Sequence, residues 1–198
     1  MKTGMSICQT VFLAGAYTLA SCMAWGQQMS PEKRDSDRVE VAVTYDSVLA
    51  NVTTGQEFWM QGGSIQMQAR LSHGFGVVAD VAGLHKADVT DMGTGLDLIT
   101  ATFGPSYTWS PRRHRFALFG QVLAGEAHGM NSVFPAGSVF NSSGNSLALQ
   151  MGGGMNLALS HHLSVRMFDA NWLRTQLPNA TTGVQNNLRL GTGIVYRF

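Results

Sequence analysis

The sequence has little charge, no cysteine after residue 22 and no long apolar run that could form a membrane helix. Charged residues make up 13% of the 198 residues, about half of the usual globular share. Both cysteines, Cys8 and Cys22, lie near the N-terminus, so a disulfide framework or a cysteine metal site is excluded for the rest of the chain. The 13 basic and 12 acidic residues nearly balance, which excludes the basic surface that nucleic-acid binding requires.

Charge is missing altogether from Ala127 to Val165. Glycine, serine, asparagine and one proline interrupt this stretch, so it does not predict a transmembrane helix. Any segment that crosses a membrane must then satisfy its backbone hydrogen bonds between strands.

The first residues are typical of an export signal. Met1 and Lys2 supply a weak positive charge, residues 11–20 are mostly apolar, and Ala24-Trp25-Gly26 offers small residues at the cleavage spacing. We expect a signal peptide over 1–26 and a flexible periplasmic arm over 27–37. Leu19-Ala20-Ser21-Cys22 also matches the bacterial lipoprotein pattern, so acylation of Cys22 is the competing prediction.

In the rest of the chain, apolar and polar residues alternate. Eight runs have lengths that suit tilted membrane strands, and no helical period competes with them. In the last run, Leu188, Leu190 and Ile194 share one face while Arg189 and Arg197 share the other. The runs are 38–49, 58–71, 75–84, 96–109, 115–127, 146–159, 163–173 and 186–198.

The connections between runs alternate in length. Short turns are predicted at 72–74, 110–114 and 160–162, and the longer connections are 50–57, 85–95, 128–145 and 174–185. Short periplasmic turns and longer external loops are typical of outer-membrane barrels. The sequence therefore predicts an all-β fold, a closed antiparallel eight-stranded up-and-down transmembrane barrel over 38–198. A water-soluble sandwich with the polar face outside is the competing fold.

In the barrel the apolar faces contact lipid and the polar faces line the lumen. Aromatic residues are expected to form a girdle at each membrane interface. The girdle at the turn end would contain Trp109, Tyr196 and Phe198, and that at the loop end Phe58, Trp59 and Trp172.

Four segments resemble the outer-membrane-protein-A/X-like β-barrel domain family. They are Phe103-Gly104-Pro105-Ser106-Tyr107, 119–128, Leu163 to Arg166 with 169–175, and the closing 190–198. The resemblance covers 38–198 and leaves out the family's peptidoglycan-binding domain, so it implies no cell-wall tether. It implies that the barrel-assembly machinery recognises the terminal strand through Tyr196 and Phe198, and that lipid and lipopolysaccharide surround the barrel.

Charged residues on the polar faces are the first candidates for a site. An eight-stranded barrel is just wide enough to be filled by its own side chains, so its buried charges must pair. They form either a closed ionic plug or a gated path for small ions or solutes. Asp169 has the opposite parity to Arg166, so a bulge or a loop-end position is needed if both residues face inward. The predicted lumen network is Glu40, Asp46, Arg70, Asp80, Arg166 and Arg189.

Catalytic candidates are few. His162-Leu163-Ser164 has the histidine–serine spacing of an outer-membrane lipid hydrolase, but it lies at a predicted periplasmic turn, away from the outer leaflet. His161 and His162 should point to opposite sides of an extended chain, which disfavours joint metal binding. We therefore expect no catalytic, cofactor or metal site, and a lipid-modifying enzyme remains an alternative.

The uncharged connection 128–145 is the better candidate for contact with a partner. Val133, Phe134, Val139 and Phe140 are apolar residues among small ones, and exposed apolar groups mark contact surfaces. They would otherwise pack on neighbouring loops or sit among lipid headgroups. The sequence thus predicts a non-enzymatic barrel with a structural or surface-contact role, which includes a possible extracellular ligand. A narrow channel is the first alternative.

Overall fold

A computed structural model describes residues 39–53, 56–87, 95–111, 115–136, 139–177 and 184–198. They form a closed antiparallel barrel of eight strands in chain order, which confirms the predicted fold class and excludes a two-sheet sandwich. The strands are β1 Val39–Thr53, β2 Gln56–Ser72, β3 Phe75–Lys86, β4 Leu96–Trp109, β5 Phe116–Ala136, β6 Val139–Ala158, β7 Leu163–Thr175 and β8 Gln185–Arg197.

The register of the strands fixes the tilt of the barrel. Aligned strand positions followed from Val39, with the β4–β5 register continued across Pro105, lead once around the barrel and back to β1 at Leu49, ten residues further along. A stagger of this size in eight strands corresponds to a tilt of about 40° and to an interior that side chains can fill.

The outer wall is apolar over the height of a membrane. On β6 the outward residues from Leu147 to Leu157 are leucine, methionine or glycine. Ten residues at about 3.3 Å each, tilted by about 40°, rise about 25 Å, which matches the apolar band of outer-membrane barrels. Large apolar side chains, Val43, Ile65, Phe103 and Ile194 among them, are exposed on the same wall.

Aromatic side chains gather where this band ends. At the turn end Phe75 contacts Tyr107 with ring centroids 5.0 Å apart, and Tyr196 contacts Phe198 at 4.9 Å. At the loop end Trp59 and Trp172 are exposed on the outer wall. The prediction for Phe58 was wrong: this residue packs inward against the lumen core, because neighbours in a strand point to opposite faces.

The connections differ from the prediction at the loop end. A tight turn of His73 and Gly74 joins β2 to β3, and both residues have positive φ, 53° and 86°, as the favoured two-residue hairpin turns require. The predicted loops 50–57 and 128–145 are instead mostly strand, since β1 reaches Thr53 and the β5–β6 hairpin reaches Ala136 and Val139. Small polar residues did not end these strands, because backbone pairing between β-strands does not require apolar side chains.

The barrel belongs to the compact unit Ser36–Phe198. The predicted signal peptide 1–26, Cys22 and the arm 27–37 lie outside the described residues. In the described part of the chain, no helix is long and apolar enough to cross a membrane.

Candidate functional site

The lumen of the barrel contains most of the buried polar side chains, and its charged groups form ion pairs at three levels. The level nearest the turn end is centred on Glu40 of β1. Arg70 Nη2 and Arg197 Nε both donate to Glu40 Oε1 at 2.6 Å. The Glu40 side chain is almost fully buried, whereas both arginines are partly exposed, so this level closes the turn end with charge.

The middle level is an ion pair between neighbours on β7. Arg166 Nη1 donates to Asp169 Oδ2 at 3.0 Å and to Gln66 Oε1 at 2.7 Å, and its Nε donates to Asn156. The guanidinium also lies 4.4 Å from the centre of the Phe119 ring, a favourable cation–π distance. A register shift between Arg166 and Asp169 lets both residues face inward, and the two residues between them are exposed on the outer wall.

A chain of amides extends the middle level across the lumen. Asn171 Nδ2 donates to Asp169 Oδ1 at 2.6 Å, Gln121 Nε2 donates to Asn171 Oδ1 at 3.1 Å, and Gln66 Nε2 donates to Gln121 Oε1 at 3.1 Å. These side chains come from β2, β5 and β7. Their hydrogen bonds fix the relative positions of walls that share no strand pairing.

The third level is centred on Arg189 of β8. Its Nη1 donates to Asp80 Oδ1 at 2.9 Å and its Nη2 to Asp46 Oδ2 at 3.0 Å. The three side chains are at most 2% exposed. One guanidinium thus serves two carboxylates, and Gln150 accepts a further, longer hydrogen bond from it.

Above Arg189, toward the loop end, apolar side chains fill much of the lumen beside the buried polar residues Thr175, Gln185 and Asn187. Side chains from seven strands and Leu177 form one buried cluster, which we call the apolar cluster. Phe58 packs against it from β2. The cluster covers the ionic levels on the loop side. Its members are Val48, Ala50, Met60, Leu84, Leu96, Leu98, Ala127, Ala148, Leu173 and Leu177.

The structure places all six residues of the predicted lumen network inside the barrel, but not as a single set. Glu40 and Arg70 form one group, Asp46, Asp80 and Arg189 a second, and Arg166 pairs outside the set with Asp169. The parity of β8 could have identified Arg197 as a fourth inward arginine. At the loop end apolar residues also line the lumen, because inward Val48 and Leu98 share the parity of the polar residues on β1 and β4.

The histidine candidates do not assemble into a catalytic site. Ser164 points into the lumen and is fully buried, while His162 is exposed at the turn. The expectation for the adjacent histidines was wrong, because the rings of His161 and His162 lie 5.2 Å apart in a turn that is not extended. Within the described ranges, no group of three or more potential ligands among histidine, cysteine and carboxylates could hold a metal ion.

Comparison with solved structures identifies the architecture. Neisserial surface protein A superposes with a TM-score of 0.62 at 14% identity, over 81% of this chain and 97% of its own. The chain has the fold of the small eight-stranded outer-membrane barrels. Ail, the attachment invasion locus protein of Yersinia pestis, superposes with a TM-score of 0.57 at 16% identity, over 82% and 99%. No family model and no curated protein sequence matches the chain.

A second structure of Ail contains the heparin analogue sucrose octasulfate. It superposes on this barrel with a TM-score of 0.55 at 17% identity, over 81% of this chain and 97% of its own. At such identities the similarity establishes the fold, and the ligand is a property of Ail.

Proposed function

We propose that this chain is an integral, non-enzymatic protein of the bacterial outer membrane. Its barrel would be closed to ions and would serve membrane integrity or surface contact. The proposal rests on one observation: the barrel combines an apolar outer wall with a lumen that is filled by side chains. A wall that exposes Leu147, Met151 and Ile194 is stable in lipid and would aggregate in water.

The side chains that fill the lumen support the proposal that the barrel does not conduct ions. Each described buried carboxylate, Glu40, Asp46, Asp80 and Asp169, has an arginine partner within 3.0 Å. The apolar cluster then covers these pairs on the loop side. An ion would have to break buried pairs and cross an apolar layer, and both steps are costly.

Surface contact is proposed for the β5–β6 hairpin. Pairing with β4 ends at Met130 and pairing with β7 begins at Ala148, while β5 and β6 pair with each other up to Ala136 and Val139. The hairpin thus continues past both neighbouring strands. Our candidates for contact with an extracellular ligand belong to the strands of this hairpin: Val133, Phe134, Val139 and Phe140. Their side chains lie outside the described part of the structure. Ail with its heparin analogue is a precedent for a ligand on this fold.

Two further partners are proposed. The exposed rings of Tyr196 and Phe198 at the end of β8 suit recognition by the barrel-assembly machinery. The outer wall suits contact with outer-membrane lipid and lipopolysaccharide.

Planar-bilayer recording of the refolded protein tests the closed lumen. We expect no steps above the noise from the wild type. Reproducible conductance that is abolished by Arg70→Gln or Asp80→Asn would establish the alternative, a narrow channel through the lumen. Deacylation of added lipopolysaccharide by the purified protein would establish the other alternative, a lipid-modifying enzyme.

Cysteine labelling of intact cells tests the orientation. Because the chain has no cysteine after Cys22, single cysteines can be introduced at Ser138, which lies between Ala136 and Val139 in the sequence, and at Ser110, at the turn end. A membrane-impermeant maleimide should label Ser138→Cys in intact cells and Ser110→Cys only after lysis. The opposite pattern would contradict the proposed orientation.

A further inference from the structure

A row of polar side chains crosses the outer wall at the loop end of β1 to β4. Strand pairing aligns Ser47 with Gln61, Gln61 with His85, and His85 with Asp97. We call these four residues the polar row. All four lie on the outer wall, where water, lipid or a partner protein can reach them.

The polar row lies near the loop end of the apolar wall on its strands. Toward the turn end, the next large outward side chains are Tyr45 on β1, Ile65 on β2, Val81 on β3 and Ile99 on β4, and all four are exposed. On the loop side of the row, the next outward residues of β1 and β2 are Leu49 and Trp59, so the row lies beside the aromatic girdle of the loop end. In a membrane such a girdle lies where the hydrocarbon layer meets the lipid headgroups.

Hydrogen bonds within the row leave two of its nitrogen atoms unused. Gln61 Oε1 accepts from Ser47 Oγ at 2.9 Å and from the hydroxyl of Tyr45. Asp97 Oδ1 bonds His85 Nδ1 at 2.5 Å. Within the described part of the chain, the amide nitrogen of Gln61 and Nε2 of His85 have no hydrogen-bond partner. The His85 side chain is 67% exposed, so a ligand on the outer wall can reach its second ring nitrogen, which can donate or accept.

Trp59 adds a third donor beside them. It lies two residues from Gln61 on the same face of β2, and 45% of its surface is exposed. Its indole N–H has no partner among the described residues. The chain thus presents an amide, an imidazole and an indole N–H on two adjacent strands, at the level of the headgroups. The Asp97 carboxylate, 28% exposed, lies on the far side of His85 from Gln61.

We propose that Trp59, Gln61 and His85 bind the phosphate of an outer-leaflet lipid headgroup. Phosphate oxygens accept several hydrogen bonds at once, and charge-assisted bonds to them are the stronger kind. The lipid's acyl chains would lie on the apolar wall below, beside Ile65 and Val81. This inference rests on the proposed function, because it requires the barrel to sit in a membrane.

Native mass spectrometry of the detergent-solubilised protein tests the site with two lipids of matched acyl chains, phosphatidylglycerol and a neutral galactolipid. The wild type should bind phosphatidylglycerol several-fold more tightly than the galactolipid. The double variant Gln61→Leu and His85→Leu should lose about tenfold of the phosphatidylglycerol affinity, as expected for the loss of one or two hydrogen bonds to a charged group. Inorganic phosphate should not displace the lipid.

His128→Leu is the matched control, since His128 also bonds an outward partner, Asn145, at the loop end of other strands. It should change the affinity less than twofold. Trp59→Phe keeps an aromatic ring without the N–H, and its affinity for phosphatidylglycerol should be about threefold lower. Heat-modifiable electrophoretic mobility verifies that each variant is folded.

Equal binding of the two lipids, full affinity in the double variant, or an equal loss in His128→Leu would overturn the phosphate site. Displacement of the lipid by inorganic phosphate would also overturn the proposal, because the site would then bind free phosphate and not a lipid headgroup. Failure of the wild type to insert into bilayers would instead overturn the proposed function.

Discussion

Arg189 on β8 reaches across the lumen to Asp80 on β3, a strand with which β8 shares no backbone pairing. Its Nη1 lies 2.9 Å from Asp80 Oδ1 and its Nη2 lies 3.2 Å from Oδ2. The same guanidinium bonds Asp46 on the neighbouring β1. One side chain therefore joins three strands from inside the barrel.

Arg189→Met should strongly destabilise the barrel. The substitution leaves Asp46 and Asp80 buried without their cation, and removal of one partner from a buried ion pair costs about 3–5 kcal/mol. The free energy of unfolding from urea titration in phospholipid bilayers measures the loss. Arg174→Met, on the partly exposed β7 residue Arg174, is the control. An equal loss in the two variants would show that the Arg189 pairs contribute no stability.

Restoring neutrality should recover much of that stability. The triple variant Arg189→Met, Asp46→Asn, Asp80→Asn removes the charges together, and replacement of a whole buried ionic group is often close to neutral. The same urea titration should place it well above Arg189→Met alone. If it is no more stable than the single variant, the carboxylates are not the source of the loss.

Gly191→Ala should weaken the same group by a different route. A Cβ at Gly191 would collide with Asp46 Oδ1, so the carboxylate would have to move from Arg189. Overpacking of this kind costs about 1–3 kcal/mol. Gly83→Ala is the matched control, because a Cβ there meets nothing within 4 Å. Thermal denaturation followed by circular dichroism should separate the two variants, and equal midpoints would contradict the contact.

Phe198→Ala should reduce assembly in the outer membrane more than it reduces stability. The Phe198 ring is exposed and contacts Tyr196, so little packing is lost in the folded barrel. Phe168→Ala removes a similar outward ring from the bulge of β7 and is the control. The folded fraction in outer-membrane preparations, measured by heat-modifiable mobility, should fall several-fold for Phe198→Ala only. Equal folded fractions would argue against a terminal recognition signal.

Strand periodicity made the barrel predictable. Alternation is a local property, so the parity of β8 and the polar positions of β1 and β2 could be read directly from the sequence. The same parity assigned Glu40, Asp46 and Arg189 to the lumen. Register between distant strands is not local, which is why the particular pairs, such as Arg189 with Asp80 and Glu40 with Arg197, could not be predicted.

Two features could not be predicted because the sequence patterns that encode them are ambiguous. Inward positions that change from polar to apolar along a strand, as at Val48 and Leu98, do not reveal whether these side chains contact water or one another. The apolar cluster shows that they pack together. The composition of 128–145 indicated a loop, but uncharged small residues also permit a long hairpin.

The central claim is that lipid, and not water, contacts the outer wall. Gln150 and Met151 are adjacent on β6, and the first is 1% exposed whereas the second is 52% exposed. A nitroxide attached to Met151→Cys in bilayer-reconstituted protein should be accessible to oxygen, which partitions into hydrocarbon, and protected from a water-soluble nickel complex. A label on Gln150→Cys should be protected from oxygen in the packed lumen. If the nickel complex reaches the label at position 151 as readily as a label in water, the outer wall does not face a membrane.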